Sequence, residues 1–108
     1  MSIWETNVYA KGRQLNRYPY DSVVSDVFRW SSGRDRADLR VLEVGSGSGN
    51  NLWFLAREGF QCAGIDLSKT ANKHAKKYLS EDGLEADIRL GNIADLPWED
   101  NTFDLVID

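Results

Sequence analysis

The strongest constraint in this sequence is the stretch Val41-Leu42-Glu43-Val44-Gly45-Ser46-Gly47-Ser48-Gly49, where a short β-forming run passes through three glycines into a helical pattern. Glycine has no Cβ, so a loop built from it takes up positive φ and lets its backbone approach a ligand closely. The helix that follows, read over Leu52 to Glu58, would turn its first N–H groups toward the same place. A strand that feeds a helix this abruptly belongs to an α/β sheet, and ligands of such sheets sit beyond the carboxyl ends of the strands. Gly45, Ser46, Gly47 and Gly49 are therefore candidate ligand-binding residues.

The loop also limits the ligand. A phosphate-binding loop would carry Gly-Lys-Ser or Gly-Lys-Thr, and none follows here. A dinucleotide fingerprint starting at Gly45 would place its last glycine at position 50, which is Asn50; the third glycine comes one residue early. Glu43 sets a carboxylate just below the loop, which suits an amino group and opposes a diphosphate. The next strand, Phe60 to Ile65, ends in Gly64-Ile65-Asp66-Leu67-Ser68. The two oxygens of Asp66 match the vicinal hydroxyls of a ribose, and Leu67 is placed to pack on the base. A ribose is common to NAD and to other adenosyl ligands, so Asp66 alone does not choose between them.

The rest of the chain keeps to the same architecture. Asp21 caps a helix whose stripe is Val23, Val24, Val27 and Phe28, and Gly33 ends that region. Ser68 caps another helix, with Ala71, Ala75, Tyr78 and Leu79 on one face. Ala86 to Leu90 is a third strand, its alternation broken by Asp87 and Arg89, and Phe103 to Ile107 is a fourth. The connection between them is short for a parallel crossover, with room for one helical turn around Ile93 to Leu96. This order predicts an α/β, doubly wound, mostly parallel sheet.

The segment Gly91-Asn92-Ile93-Ala94-Asp95-Leu96-Pro97-Trp98-Glu99-Asp100-Asn101-Thr102-Phe103-Asp104-Leu105-Val106 completes a set of three motifs with the glycine loop and Gly64-Ile65-Asp66-Leu67-Ser68. From about Leu39 to Asp108 the chain resembles the class I S-adenosylmethionine-dependent methyltransferases, in particular the small-molecule branch similar to quinone-biosynthesis C-methyltransferases. The resemblance implies a Rossmann-like fold and S-adenosyl-L-methionine as cofactor. It places the methionine end at Glu43 and the glycine loop, the ribose at Asp66, and the adenine at Leu67, Asn92 and Ile93. The family residue at position 92 is Asp, whose carboxylate accepts from the adenine amino group. The oxygen of Asn92 would accept in its place without the charge. The resemblance further implies that Pro97 and Trp98 shape the loop below the ring, and that Asp104 helps turn the chain into the fourth strand. It also implies strands beyond the fourth, so residues 39–108 read as the N-terminal half of a domain truncated after that strand. Residues 1–38 read as an arm and helix, with Tyr18 and Tyr20 as candidate lid or substrate residues. Asp108 falls where acceptor-side residues begin, and no catalytic base is assigned.

Composition removes other classes. Seventeen acids against thirteen Lys and Arg give a net charge of −4, which argues against a nucleic-acid scaffold. No apolar run is long enough to span a membrane, and no secretory signal opens the chain, so a cytoplasmic protein is expected. One cysteine and one histidine make neither an internal disulfide nor a zinc site. Cys62 reads as a small apolar strand residue, and His74 as part of a solvated lysine-rich face. The expected activity is methyl transfer to a small-molecule acceptor. The alternatives are a cofactor-binding module or inactive fragment without methyl transfer, and an NAD-dependent oxidoreductase. With nothing after the fourth strand, one sheet face is expected to be bare and the strand's outer edge open to self-association.

Overall fold

The computed structural model describes residues 21–108. Helix α1 (Asp21–Ser31) is followed by a 3-10 turn, strand β1 (Arg40–Val44), helix α2 (Asn50–Arg57), strand β2 (Gln61–Asp66), helix α3 (Lys69–Glu81), and strands β3 (Asp87–Leu90) and β4 (Leu105–Ile107). The strands form one sheet in the order β3-β2-β1-β4, and every neighbouring pair is parallel. The first connections run to one side of β1 and the last returns to the other. Parallel pairing brings the carboxyl ends of all four strands to one edge, and the reversal of direction at β1 is where such sheets open a crevice.

One face of the sheet packs on the helices. Val41 and Ile88 join Leu52, Phe54, Leu55, Ala75, Leu79 and Val27 in a single buried cluster. The helical spacing of 52, 55, 75 and 79 is what turns those side chains onto one surface. Leu52 and Leu55 are fully buried, and truncating such a leucine to alanine costs about 2–5 kcal/mol. Helix α3 starts where the sequence predicts, with the Ser68 hydroxyl accepting from the Ala71 N–H at 3.0 Å.

The opposite face is not bare, contrary to the sequence-based expectation. Leu42, Val44, Ala63 and Ile65 are only 1%, 7%, 3% and 2% exposed, and Trp98 and Phe103 pack against them. The connection from residue 91 to 104 makes this possible by folding back under the sheet as turns; where one helical turn is expected around Ile93 to Leu96, a single hydrogen-bonded turn forms, its Asp95 N–H donating to the Asn92 carbonyl at 3.0 Å. It is clasped by the two β3 residues that interrupted the apolar alternation. The Trp98 indole N–H donates to Asp87 at 2.9 Å, Arg89 lies 5.0 Å from the Trp98 ring centroid, and the Arg89 guanidinium holds Asp87 at 2.9 and 3.0 Å. That guanidinium, and then the indole, keep the Asp87 carboxyl below the usual carboxylate range. Asp104 ties the end of the connection to β1: its carboxylate accepts from the Arg40 N–H at 2.9 Å, and its own N–H donates to the Arg40 carbonyl at 2.8 Å. β4 is an edge strand of the described sheet, as expected, with Val106 exposed. No helix among the described residues is long and apolar enough to cross a membrane.

Candidate functional site

The glycine loop crosses the carboxyl end of β1 with positive φ at Gly45, Gly47 and Gly49. It does not hold out its N–H groups as the sequence suggests. Gly45 and Ser46 both donate to the Ile65 carbonyl, at 2.8 and 3.3 Å, and Gly49 donates to the Ser46 carbonyl at 3.1 Å. The Gly47 N–H donates to the Asp66 carboxylate at 2.9 Å. Four of the loop's donors are thus spent inside the protein. Gly49 also lets α2 and α3 meet: a Cβ there would lie 2.7 Å from the Cβ of Ala75. Gly64 does the same for the loop, since its added Cβ would lie 2.7 Å from the Ser46 hydroxyl oxygen and from a Leu52 methyl.

Beneath the loop, Glu43 points to the helix side of the sheet, beside Gly64 in the register. It is 4% exposed. One carboxylate oxygen accepts from the Asn51 amide at 2.7 Å, while the other, and the Ser46 hydroxyl, have no hydrogen-bond partner among the described residues. Burial pushes the Glu43 carboxyl up to about 7; the Asn51 hydrogen bond lowers it and the charge of Asp66 raises it. Cys62, half-buried two register pairs away, is pushed up to about 12 by burial and by the Glu43 charge, so its thiol stays protonated and inert.

Asp66 ends β2 and serves two neighbours at once. Besides Gly47, it accepts from the Ser68 N–H at 2.8 Å through its other oxygen, joining the glycine loop to the start of α3. The Asp66 carbonyl accepts from the Gly91 N–H at 3.1 Å and from the Asn72 amide at 3.3 Å. The same amide reaches the Arg89 carbonyl at 3.2 Å, so Asn72 binds the ends of β2 and β3 together. Asn92 sits just past β3 with its oxygen already accepting from the Ala94 N–H at 2.9 Å. The turn thus holds the side chain in place, and the oxygen, with two lone pairs, keeps one beyond the bond to Ala94.

The structure thus gathers Glu43, Gly45, Ser46, Gly47, Gly49, Asp66, Leu67, Asn92 and Ile93 at one edge of the sheet, with Asp108 following the residue paired to Glu43. Leu67 and Ile93 are 70% and 59% exposed, side by side in the chain with Asp66 and Asn92. Tyr18 and Tyr20 lie outside the described residues. Sequence reasoning missed Asn51 and Asn72. Asn51 left a trace, since a polar pair, Asn50-Asn51, opens an otherwise apolar helix; Asn72 left none, because its partners come from two other strands. No cluster of metal-ligating side chains occurs among the described residues.

Residues 41–108 match the family model described as a methyltransferase domain. Norajmaline N-methyltransferase of Rauvolfia serpentina is 37% identical over 70 residues, which are 62% of this chain and 24% of that protein. Ubiquinone biosynthesis O-methyltransferase of Maricaulis maris is 34% identical over 86 residues, 79% of this chain and 34% of that one. The chain therefore spans a minority of the length of these relatives. A crystal structure of an S-adenosylmethionine-dependent methyltransferase from Thiobacillus denitrificans, in complex with S-adenosyl-L-homocysteine, superposes with a TM-score of 0.71 at 26% identity, covering 98% of this chain and 43% of that one.

Proposed function

This chain belongs to the methyltransferase-domain family, and we propose that it binds S-adenosyl-L-methionine at the carboxyl edge of its sheet and serves methyl transfer to a small-molecule acceptor. The observation that carries the ligand choice is the inward bonding of the loop. A diphosphate needs free N–H donors, and here the N–H groups of Gly45, Ser46, Gly47 and Gly49 are already engaged. What the loop offers is close backbone approach above a carboxylate, Glu43, whose second oxygen lacks a partner. That combination fits a ligand carrying an ammonium group and no phosphate, and weighs against NAD.

The remaining residues fit the same ligand. Asp66 keeps lone pairs on both oxygens beyond the two backbone bonds it accepts, so it can hold ribose hydroxyls. The exposed Leu67 and Ile93 supply apolar surface for a purine. When bound, S-adenosylmethionine supplies a methyl group activated by its sulfonium leaving group. The chain's part is to hold that end against the loop and to exclude water from it. A small-molecule acceptor is supported by the relatives' names, one an N-methyltransferase and the other an O-methyltransferase of ubiquinone biosynthesis. The likeness to quinone-biosynthesis enzymes rests on three motifs in order: the glycine loop with Glu43, the stretch from Gly64 to Ser68, and the segment from Gly91 to Val106.

Calorimetry with S-adenosylhomocysteine, S-adenosylmethionine and NAD tests the reading. Binding of the first two with no response to NAD is expected; tight NAD binding without S-adenosylhomocysteine binding would overturn it. Asn92 gives a second test. Because its oxygen accepts from the Ala94 N–H, Asn92→Asp should keep the turn and place an accepting oxygen where an amide donor now stands. Affinity for S-adenosylhomocysteine is expected to rise by about fivefold, in line with one added hydrogen bond of about 1 kcal/mol. A loss of affinity would show that the amide donates to the ligand, and would move the adenine.

A further inference from the structure

We infer that Asn51 is a positioning residue for Glu43, and that the Asn51–Glu43 pair couples binding of the cationic cofactor to release of a proton from Glu43. This rests on the binding reading above. The geometry places the pair directly under the loop: Glu43 is on β1 one residue before its end, Asn51 is in the first turn of α2, and the 45–49 loop joins the two elements. Both side chains are nearly fully buried, at 4% and 3% exposure, and the amide holds one carboxylate oxygen at 2.7 Å. The fixed oxygen sets the orientation of the other, which has no partner among the described residues.

The groups facing Glu43 make its charge costly until a cation arrives. From β2 come Asp66, a like charge, and the neutral thiol of Cys62. From β4 come Ile107, its register partner, and then Asp108. From α2 comes the Asn51 amide. None of the causes acting on Glu43 is a cation. A carboxyl that titrates near 7 in the free protein is largely protonated at pH 6 and ionised at pH 8. An ammonium group favours the ionised form, so binding strips the proton and affinity must rise with pH through this window. Linkage of one proton gives roughly a tenfold gain in affinity between pH 6 and pH 8. Removing the Asn51 donor takes away a group that favours the charged form, so the midpoint should move to higher pH.

The test is calorimetry of S-adenosylhomocysteine binding from pH 6 to 8.5, in buffers of differing ionisation enthalpy, for the wild-type protein, Asn51→Leu, Asn51→Ser, Glu43→Gln and the Asn51→Leu/Glu43→Gln double variant. The wild type should release close to one proton at pH 6 and almost none at 8.5. Asn51→Leu, of similar volume without a donor, should bind several-fold more weakly at pH 7 and recover as pH rises. Asn51→Ser, which keeps a hydroxyl donor, should fall between the two. Glu43→Gln should bind weakly with no pH dependence, and Asn51→Leu added to it should change nothing further. A merely structural asparagine would lower affinity equally at every pH and add its effect to Glu43→Gln; either result would overturn the inference. So would wild-type binding without proton release, a measurement that needs no variant to fold. Failure of the wild type to bind S-adenosylhomocysteine at any pH would instead remove the binding reading itself, and the coupling with it.

Discussion

Gly49→Ala is expected to lower the melting temperature of the protein by roughly 10 °C or more and to abolish measurable cofactor binding under conditions where the wild type binds. Two costs combine at this residue. Its φ of +90° disfavours any side chain by about 1–2 kcal/mol. The new methyl would also lie 2.7 Å from the Cβ and 3.0 Å from the Cα of Ala75. Neither atom is the end of a flexible chain, so α3 itself must move away from α2. Overpacking of that kind costs about 1–3 kcal/mol, and the sum is a large part of the roughly 5–15 kcal/mol that holds a domain folded. Gly45 provides the internal comparison. Its φ is +72°, but nothing lies within 4 Å of its added Cβ, so Gly45→Ala should pay the backbone cost alone. Ala75→Gly combined with Gly49→Ala should recover part of the loss by restoring room, though a helical glycine itself costs about 1 kcal/mol. Equal melting temperatures for Gly49→Ala and Gly45→Ala would show that helix contact is not what requires glycine at 49.

That contact also marks how far the sequence could be read. The glycines at 45, 47 and 49 are adjacent in the chain and stand between a clear strand and a clear helix, so their shared location needed only local pattern. The partner of Gly49 on α3 is Ala75, and sequence shows it only as one apolar residue on a helical face. The same limit applies to Glu43. Its place below the loop was legible, but its bond to Asn51 depends on α2 beginning at Asn50 and not at Leu52, a shift of half a turn that brings the amide over β1. The cover formed by the connection after β3 was missed for a different reason. Its apolar residues, Ile93, Leu96, Trp98 and Phe103, follow no helical or strand period, because the segment is held by the Asp87–Trp98–Arg89 clasp and by Asp104 rather than by backbone repeats. Asp87 and Arg89 looked like flaws in a strand. They are the residues that turn toward the covering loop, and with that cover in place the expected bare face disappears.

Asp66 is where the structure changes an expectation most. As a ribose ligand only, its loss would weaken cofactor binding and leave the free protein alone. But its two oxygens accept from the Gly47 N–H at 2.9 Å and the Ser68 N–H at 2.8 Å, so the carboxylate fastens the glycine loop to the start of α3 before any ligand is present. Asp66→Ala leaves a buried loop N–H without an acceptor, which costs about 1–3 kcal/mol, and removes a second charge-assisted bond, to the N–H of the buried Ser68. The apo protein is therefore expected to lose about 2–4 kcal/mol of stability in urea unfolding, and affinity for S-adenosylhomocysteine to fall by at least tenfold. Asp66→Asn should separate the two roles. Its amide has one accepting oxygen, so it can satisfy either Gly47 or Ser68 while its NH2 group opposes the other, and about half of the stability loss should remain. Its single oxygen can still accept from one hydroxyl, so affinity should fall less than in Asp66→Ala. Lost binding with unchanged unfolding in both variants would restrict Asp66 to the ligand. Unchanged binding with lowered stability would make it a fastening for the loop and leave the ribose to another group.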